Sequence, residues 1–485
     1  MSKGETPKHY PLLIAGGQSA AGELSVNSPY GGELLATAER SGEAHIEAAL
    51  ATAHALYRDR KQWLSLVQRV EILERTAELM TAQVDDLATI AASEGGKPWG
   101  DTLVEVNRAI AGVKMCAEHI QGHAGEVIPL KEPQANTLRM GFTQKEPIGV
   151  VVAVSAFNHP LNLIVHQVGA AIAAGCPVIV KPAEDTPLSC LRFAQILLEA
   201  GLPENWVQVA LPKTRELSTA LVSDSRVGFF SFIGSAAVGW MLRSKLAAGT
   251  RCALEHGGVA PVIVDETADL AKALPAITKG GFYHAGQVCV SVQRVFVHKS
   301  QSKALAKGLT EAALALRVGD PLDAATEVGP LIREAEVTRI HEWISEAVAA
   351  GAEKLCGGEV LANNCYAPTI LLNPPADTKV SCQEIFGPLL CIYEYSDLGQ
   401  ALNQANSLDV SFQAAVFTEN IDKAMEIYHR IDASAVMVND HTAFRQDNMP
   451  FAGLRQSGLG VGGIGHTIDD MQIDKMMVIK STVNY

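Results

Sequence analysis

The sequence predicts an α/β protein that contains two parallel-sheet units. Short valine-rich runs alternate with segments whose apolar residues have helical spacing, and this alternation occurs in two cycles that meet near residue 257. Such alternation is typical of parallel sheets that are covered by helices on both faces. The chain has 485 residues, which is enough for about two to four domains.

The region before the first strand, residues 40–125, has a mainly helical pattern. Apolar residues recur every three or four positions over 48–56, 64–80 and 84–93, with polar residues between them. This spacing predicts amphipathic helices.

The first cycle begins with a valine run at 148–154, bounded by Pro147 and Ser155. A continuous apolar run of this length is typical of a strand that is buried on both faces. Similar reasoning predicts strands at 148–154, 178–180, 206–209 and 227–233 and helices at 163–174 and 190–200.

The second cycle begins near residue 260. Its pattern predicts a helix over 274–281, with Pro275 in the first turn, where proline is tolerated. A second helix is predicted at 302–315, and strands are predicted at 261–264, 294–297, 415–417 and 435–438.

Composition and charge argue against several classes of protein. The chain has 39 basic and 53 acidic residues, a net charge of −14, and no cluster of Lys and Arg, so we predict no nucleic-acid partner. No window of about 18 uninterrupted apolar residues occurs, so no membrane span is predicted. The first ten residues contain no apolar run of the kind found in signal peptides. These features predict a cytoplasmic protein.

The nine cysteines never form a CxxC pair, so neither a zinc knot nor a dithiol redox motif is expected. We predict free thiols and no metal site. A GxGxxG pattern at 458–463 follows a loop-like segment and has too little chain after it for a βαβ unit. It is therefore interpreted as a glycine-rich turn and not as a dinucleotide fingerprint.

Seven short motifs, each beside glycine or proline, together resemble those of the aldehyde dehydrogenase superfamily and follow its order. The gap of 34 residues between Glu255 and Cys289 is also the one that the family shows. The motifs are Phe-Asn-His-Pro at 157–160, Val-Lys-Pro-Ala-Glu at 180–184, Phe-Ile-Gly-Ser at 232–235, Leu-Glu-His-Gly-Gly at 254–258, Gly-Gln-Val-Cys at 286–289, Glu-Ile-Phe-Gly-Pro at 384–388 and Pro-Phe-Ala-Gly at 450–453.

The resemblance implies a catalytic set with a clear chemical logic. Hydride cannot leave an aldehyde directly without forming an acyl cation, so Cys289 would first add to the carbonyl as a thiolate. The amide of Asn158 and the backbone N–H of Cys289 would stabilise the oxyanion. Glu255 would be the general base that hydrolyses the resulting thioester. Gly286 is expected to turn the backbone tightly and bring it close to the cofactor.

The resemblance also implies a nicotinamide cofactor. A carboxylate at the adenosine ribose accepts hydrogen bonds from the 2′-OH and repels a 2′-phosphate, so Glu184 favours NAD over NADP. The implied cofactor residues are Lys181 and Glu184 at the adenosine ribose, Gly234 and Ser235 at the pyrophosphate, and Glu384 and Phe386 at the nicotinamide ribose and ring.

Departures from the family pattern bear on the substrate. Histidines replace the residues that are frequent at two positions near the substrate tunnel, His159 and His284, and an arginine precedes Pro450. An arginine can bind a carboxylate or phosphate bidentately. We predict a short hydroxylated or anionic aldehyde, as in the lactaldehyde and phosphorylated-glyceraldehyde branch. The candidate substrate residues are His159, His284, His441, Phe444 and Arg445. Alternatively, both histidines are structural and Arg445 pairs with Asp447.

By resemblance, the chain divides into two Rossmann-like domains and an arm. Residues 1–127 and 148–257 would form the NAD-binding domain and residues 258–466 the catalytic domain. Residues 128–147 and 467–485, which fit neither cycle, would form a β arm for oligomerisation. Since an exposed arm strand needs an edge to pair with, a homodimer or homotetramer is expected.

Two other functions are compatible with this fold. In an acylating enzyme, coenzyme A takes the acyl group, and such members tend to lack the base that Glu255 matches. A catalytically silent protein would have lost Cys289, Asn158 or Glu255, and all three residues are present.

Overall fold

The structure is a computed structural model and describes residues 8–16, 19–130 and 139–481. The strands are β1 (Lys8–Tyr10), β2 (Glu23–Asn27), β3 (Leu34–Glu39), β4 (Val127–Ile128), β5 (Arg139–Pro147), β6 (Val150–Val154), β7 (Val178–Lys181), β8 (Val207–Val209), β9 (Val227–Ile233), β10 (Arg251–Glu255), β11 (Pro261–Val264), β12 (Arg294–His298), β13 (Glu353–Cys356), β14 (Thr369–Leu372), β15 (Leu389–Tyr395), β16 (Val410–Ser411), β17 (Gln413–Phe417), β18 (Ala435–Val438), β19 (Leu454–Arg455), β20 (Gly458–Leu459) and β21 (Gln472–Lys480). The helices are α1 (Glu43–Arg58), α2 (Leu66–Thr81), α3 (Val84–Gly95), α4 (Trp99–Gln121), α5 (Asn162–Ile164), α6 (Ala170–Ala174), α7 (Leu188–Glu199), α8 (Arg215–Ser223), α9 (Ala236–Arg243), α10 (Leu270–Phe282), α11 (Lys299–Ala315), α12 (Glu334–Ala349), α13 (Lys379–Cys382), α14 (Leu398–Ala405), α15 (Ile421–Arg430) and α16 (Ile464–Asp470).

The first cycle forms a six-stranded sheet with the order β20-β10-β9-β6-β7-β8. All neighbours are parallel except the short edge strand β20, which is antiparallel to β10. The four predicted strands of this cycle are confirmed as β6 to β9. Every residue of β6 is buried, as its continuous apolar run predicts.

The second cycle forms a seven-stranded sheet with the order β13-β14-β15-β12-β11-β17-β18. Its strands are parallel apart from β13, which pairs antiparallel with β14 at the edge. The predicted strands correspond to β11, β12, β17 and β18. The predicted α/β fold class with two parallel-sheet units is therefore confirmed.

The helices before the first sheet are α1 to α4, in the region that we predicted to be mainly helical. The prediction for α10 needs a correction. The helix begins at Leu270, after Asp269 caps it by accepting a hydrogen bond from the backbone N–H of Ala271 at 3.0 Å. Pro275 therefore lies inside the helix and not in its first turn.

The two segments assigned to an arm contain the strands of a separate three-stranded sheet, β21-β5-β4. β21 pairs antiparallel with β5 from Gln472 to Lys480. Residues 467–470, which we included in the arm, instead complete α16, and that helix packs on α4 and α6. Residues 1–7, 131–138 and 482–485 of the predicted domains and arm lie outside the described residues, as do 17–18.

The glycine pattern at 458–463 begins in the two-residue strand β20 and continues through a turn to α16. The strand after that helix, β21, belongs to the separate arm sheet. No parallel βαβ unit surrounds the pattern, as the turn interpretation predicts. Across the three described ranges, no helix has both the length and the apolar character needed to cross a membrane.

Candidate active site

Several of the predicted catalytic and cofactor residues lie where parallel strands of the first sheet end. Lys181 is the last residue of β7 and is in register with Val154, the last residue of β6. Glu255 ends β10 in register with Ile233, which ends β9. The loops that follow these strands therefore meet at one edge of the sheet. In open α/β sheets, ligands bind at this carboxyl edge.

Cys289 lies in a turn between α10 and β12, and loops from the first sheet hold this turn. The side-chain amide of Asn158 donates a hydrogen bond to the carbonyl of Gln287 at 2.9 Å. The backbone N–H of Gly258 donates to the carbonyl of Cys289 at 3.2 Å. The structure thus brings Asn158 and the turn that follows Glu255 to the cysteine.

The chain before Cys289 has an unusual backbone. His284, Ala285 and Gly286 have φ angles of 49°, 53° and 71°, so three consecutive residues are left-handed. A Cβ on Gly286 would overlap the carbonyl group of Gly387. We predicted that Gly286 turns the backbone tightly so that it approaches the cofactor. In the structure, glycine is required at 286 because the backbone of Gly387 lies against it.

Gln287 is a structural residue of this loop that the sequence analysis did not single out. Its buried side chain donates to the carbonyl oxygens of His284 and Pro330 at 3.3 and 3.2 Å. It also accepts a hydrogen bond from the backbone N–H of Ile332 at 3.0 Å. These bonds fix the cysteine loop to the segment before α12. In the sequence, only the position of Gln287 between Gly286 and Cys289 could have indicated this structural role.

The surroundings of Cys289 disfavour ionisation of its thiol. Burial raises its pKa, the nearby carboxyl groups of Glu384 and Glu255 raise it further, and Arg445 opposes them. A half-buried thiol beside acidic groups is a poor nucleophile until a positive charge or a base changes its surroundings.

Glu255 is enclosed at the end of β10. Burial raises the pKa of its carboxyl group, and His166 and Arg445 oppose that rise. A Cβ at Gly462 would overlap this carboxylate, so the absence of a side chain at 462 makes the space that Glu255 occupies. A carboxyl group with a raised pKa is suited to general base chemistry.

Glu384 lies beside the same turn, since a Cβ on Gly257 would overlap its carboxylate. Burial raises the pKa of Glu384 to about 8. Its buried Oε1 atom makes no hydrogen bond with any described residue. Phe386 has a φ of 51°, and its ring contacts that of Phe157 edge-on with the centroids 5.8 Å apart. An acceptor without a donor next to Cys289 fits a sugar hydroxyl, which supports the predicted ribose site.

Arg40 lies at the other end of the predicted cofactor site, although the sequence did not indicate it. Its guanidinium forms an ion pair with Glu184 at 2.9 Å. Lys181 lies close by, and burial lowers its pKa while Glu184 opposes that effect. At the neighbouring strand end, Ser235 is the N-cap residue of α9, and its side chain makes no capping hydrogen bond. The free hydroxyl and the helix N-terminus suit a pyrophosphate.

Asp447 organises a polar network two residues after Arg445. Both guanidinium donors of Arg108 bind its carboxylate, at 2.7 and 3.0 Å, and His166 and Asn162 bind at 2.7 and 3.1 Å. Although burial opposes it, the hydrogen bonds from His166 and Arg108 lower the pKa of Asp447 well below its ordinary value. The side chain of Arg445 is not among these donors.

Arg445 instead donates to the carbonyl of Met449 at 3.0 Å and lies over the ring of Phe451 at 3.9 Å. The alternative that Arg445 pairs with Asp447 is therefore wrong in this structure. Burial lowers the pKa of Arg445, and the acidic groups of Glu255, Asp447 and Cys289 oppose that shift. Its guanidinium is thus within electrostatic reach of the candidate nucleophile and base.

The remaining candidate substrate residues are not all together. The Nε2 atom of His159 lies 3.3 Å from the hydroxyl of Tyr283, and its ring is 6.4 Å from that of His284. Burial lowers the pKa of both histidines, and His284 is fully buried. His441 packs against Gly280 of α10, and Phe444 is exposed.

An apolar cluster completes the surroundings of Cys289. The rings of Phe412 and Phe451 are 4.3 Å apart, and both pack with Val288 and Val290 on either side of the cysteine. Phe412 lies far from any motif in the sequence, so only the folded chain reveals it. Such a wall excludes water from a reacting carbonyl.

The family model of the aldehyde dehydrogenase family matches residues 17–477. The chain belongs to this family. The chain is 36% identical to the 3-sulfolactaldehyde dehydrogenase of Priestia megaterium, over 97% of this chain and 98% of that one. Membership makes the protein an aldehyde dehydrogenase, an oxidoreductase that oxidises aldehydes, and confirms the predicted family.

Solved structures of aldehyde dehydrogenases share the fold. Aldehyde dehydrogenase 21 from Physcomitrella patens, in complex with the reaction product succinate, is 32% identical and superposes with a TM-score of 0.94 over 99% of both chains. The glyceraldehyde-3-phosphate dehydrogenase GapN from Methanocaldococcus jannaschii, complexed with NADP, is 32% identical with a TM-score of 0.90, over 94% of this chain and 99% of that one. The predicted Rossmann-like architecture is thereby confirmed.

Proposed function

We propose that this aldehyde dehydrogenase uses NAD to oxidise a short hydroxylated or anionic aldehyde to its carboxylate by hydrolysis of an enzyme thioester. The convergence of Asn158, the Glu255 turn and Arg445 on the Cys289 turn carries the proposal. In this scheme the domain at 1–127 and 148–257 binds the cofactor, and the domain at 258–466 supplies the nucleophile.

Cys289 forms the first bond. When bound, NAD supplies a positively charged ring that favours the thiolate and accepts the hydride. The Cys289 thiol releases its proton to water, the resulting thiolate attacks the aldehyde carbon, and the carbonyl oxygen becomes an oxyanion. The amide of Asn158 and the backbone N–H of Cys289 donate to that oxygen, and losing one such donor typically costs about 3 kcal/mol of barrier. Loss of hydride leaves the acyl group on Cys289 as a thioester.

Glu255 completes the turnover. Its ionised carboxylate removes a proton from water, the hydroxide adds to the thioester carbon, and the C–S bond breaks. The products are a carboxylic acid and the Cys289 thiol. Gly462 leaves space for the carboxylate, so this base has room to act.

We infer that Glu184 selects NAD. Its ion pair with Arg40 holds the carboxylate at the end of β7, where it would accept hydrogen bonds from the ribose 2′-OH and repel a 2′-phosphate. The preference for NAD over NADP is expected to be moderate, because the positive charges of Arg40 and Lys181 lie beside Glu184 and would attract a 2′-phosphate.

Replacing Glu184 by glutamine is expected to raise kcat/KM with NADP by about tenfold relative to NAD, since the carboxylate repulsion is lost and both cations remain. Steady-state kinetics with each cofactor measure this ratio. The double variant Glu184→Gln, Arg40→Gln is the matched control and should lose most of the gain. Wild-type protein that prefers NADP would contradict the proposed role of Glu184.

Arg445 is the proposed anion-binding residue of the substrate site. Its guanidinium lies over Phe451 near Glu255 and Cys289, with Asp447 already bound to three other side chains. A relative that acts on 3-sulfolactaldehyde and a structure that holds succinate support an anionic substrate. The neutral histidines His159 and His284 would shape the tunnel wall, with His441 and Phe444 nearer the mouth.

Changing Arg445 to glutamine is expected to raise KM for anionic aldehydes by about 10- to 100-fold, because a charge-assisted hydrogen bond contributes about 1.5–3 kcal/mol. KM for neutral lactaldehyde should change little. Parallel kinetics with succinate semialdehyde and lactaldehyde provide the test. An equal loss with both substrates would show that Arg445 supports the fold of the site and does not bind the anion.

The full proposal is tested by NADH formation from a panel of aldehydes with NAD and with NADP. The panel includes lactaldehyde, glyceraldehyde 3-phosphate, 3-sulfolactaldehyde, succinate semialdehyde, hexanal and benzaldehyde. Fastest turnover of an anionic or hydroxylated member is expected. Preference for hexanal would contradict the proposal of a polar substrate. Turnover that requires coenzyme A would contradict the proposal that water hydrolyses the thioester.

The arm sheet is proposed to hold a homodimer or homotetramer together. β21 is an edge strand among the described residues and exposes several large apolar side chains, which are Ile473, Met476, Met477, Val478 and Ile479. A long apolar edge strand that stayed in water would promote aggregation, so a second copy of the chain is its expected cover.

The double variant Met477→Lys, Ile479→Lys is expected to yield a smaller species, because two buried charges at an interface cost several kcal/mol. Light scattering after size-exclusion chromatography measures the mass. Met425→Lys on α15, another exposed methionine, is the control and should keep the wild-type mass. An unchanged mass of the double variant would contradict the role of β21.

A further inference from the structure

A cluster of three metal-ligand side chains lies where α4, α16 and the arm sheet meet. His119 is in the last turn of α4, His123 follows one turn later, and Asp469 projects from α16. One ring nitrogen of each histidine and one carboxylate oxygen of Asp469 all lie within 4.8 Å of one another. None of these residues belongs to the site proposed around Cys289.

We propose that His119, His123 and Asp469 bind a divalent transition-metal ion of the zinc class, which clamps α16 to the end of α4. Two imidazoles and one carboxylate are a ligand set that such ions favour, and water would fill the remaining positions. We predicted no metal site because the cysteines form no CxxC pair. That reasoning could not detect this cluster, because its histidines and its aspartate are about 350 residues apart in the sequence.

The distances suit a tetrahedral ion. The Oδ1 atom of Asp469 lies 3.4 Å from Nε2 of His119 and 3.5 Å from Nε2 of His123. Ligands at about 2.0–2.1 Å from zinc lie about 3.3–3.4 Å apart along a tetrahedral edge. Both distances are therefore close to those between two ligands of one ion, and the ligand atoms of the two histidines lie within 4.8 Å of each other.

The packing of the cluster also favours a ligand. The Nε2 atom of His123 is buried and makes no hydrogen bond with any described residue. An imidazole nitrogen without a hydrogen-bond partner is available to bind a metal ion.

The nearby cations are engaged elsewhere or held apart. Lys145 pairs with Asp474 at 3.1 Å, and Arg69 donates to the carbonyl of Ala173. On the other side, Gly465 lets α16 approach closely, because a Cβ there would lie 3.1 Å from the His119 ring. The metal would thus brace the helix that leads directly into β21.

The test is a titration of the chelator-treated full-length enzyme with Co²⁺, followed by visible absorption, and with Zn²⁺, followed by calorimetry. We expect one ion per subunit, d–d bands without a thiolate-to-cobalt band, and a rise of a few degrees in Tm at saturating Zn²⁺. Asp469→Asn and His123→Gln should each weaken binding about tenfold or more and abolish the rise in Tm. His429→Gln, an exposed histidine on α15, should leave both unchanged.

Three outcomes would overturn the proposal: no saturable binding at millimolar metal, binding that Asp469→Asn and His123→Gln leave intact, or a thiolate band that assigns the ion to a cysteine. Asp469 is well exposed, so the asparagine variant should fold even if a histidine variant does not.

Discussion

Replacing Cys289 by serine is expected to lower kcat/KM for aldehyde oxidation by about 10⁴-fold or more, because a serine hydroxyl is scarcely ionised at neutral pH and forms no thioester. NADH absorbance measures the rate. Mass spectrometry of wild-type protein during turnover should find the acyl group on the peptide that contains residue 289.

The control for this variant is Cys252→Ser. Cys252 lies in β10 and, like Cys289, is half-buried and free, so its replacement tests the general effect of a thiol-to-hydroxyl change. That variant should retain wild-type activity. If Cys289→Ser keeps activity within about tenfold of wild type, another group is the nucleophile and the proposed chemistry fails.

Replacing Glu255 by glutamine is expected to separate the two half-reactions. Hydride transfer should still give a burst of about one NADH per subunit, while steady-state turnover falls by about 10²–10⁴-fold because water is no longer deprotonated. Rapid mixing resolves the burst, and the thioester should accumulate on Cys289. Loss of the burst itself would instead make Glu255 the base that activates the thiol.

The pH dependence provides an independent check on Glu255. Burial raises its pKa above the ordinary value of 4.5, and the base acts only when it is ionised. Wild-type deacylation should therefore slow as the pH falls through this raised pKa, and the residual rate of Glu255→Gln should lack that dependence. Because the folded state disfavours the carboxylate, this group also lowers the free energy of unfolding as the pH rises from 4.5 through the raised pKa.

Local patterns predicted the elements that are buried on both faces. The valine run of β6 identifies a central strand because every one of its residues must avoid water. β10, with the sequence Arg-Cys-Ala-Leu-Glu, was missed although it carries Glu255, since most of its residues are partly exposed and lack that signature. The motif at 254–258 therefore identified Glu255 as a candidate residue but did not indicate that it ends a strand.

The contacts that complete the site join distant parts of the chain. Arg40 pairs with Glu184 across 144 residues, and Arg108 pairs with Asp447 across 339. A single sequence contains no local signal for such pairs. The partner of Asp447 could therefore not be identified as Arg108, and a pair with the nearby Arg445 was the alternative that the sequence suggested. The left-handed backbone at His284 and Ala285 was likewise invisible, because neither residue favours that conformation on its own.

The space beside Gly462 has a consequence for the proposed hydrolytic step. The carboxylate of Glu255 occupies the volume that any larger residue at 462 would need. A single change in a loop about 200 positions away would therefore displace the water-activating group while the nucleophile stayed intact. In the proposed mechanism, hydrolysis would then slow and the acyl group would persist on the sulfur of Cys289. Position 462 thus limits the hydrolytic step although its residue takes no part in the chemistry.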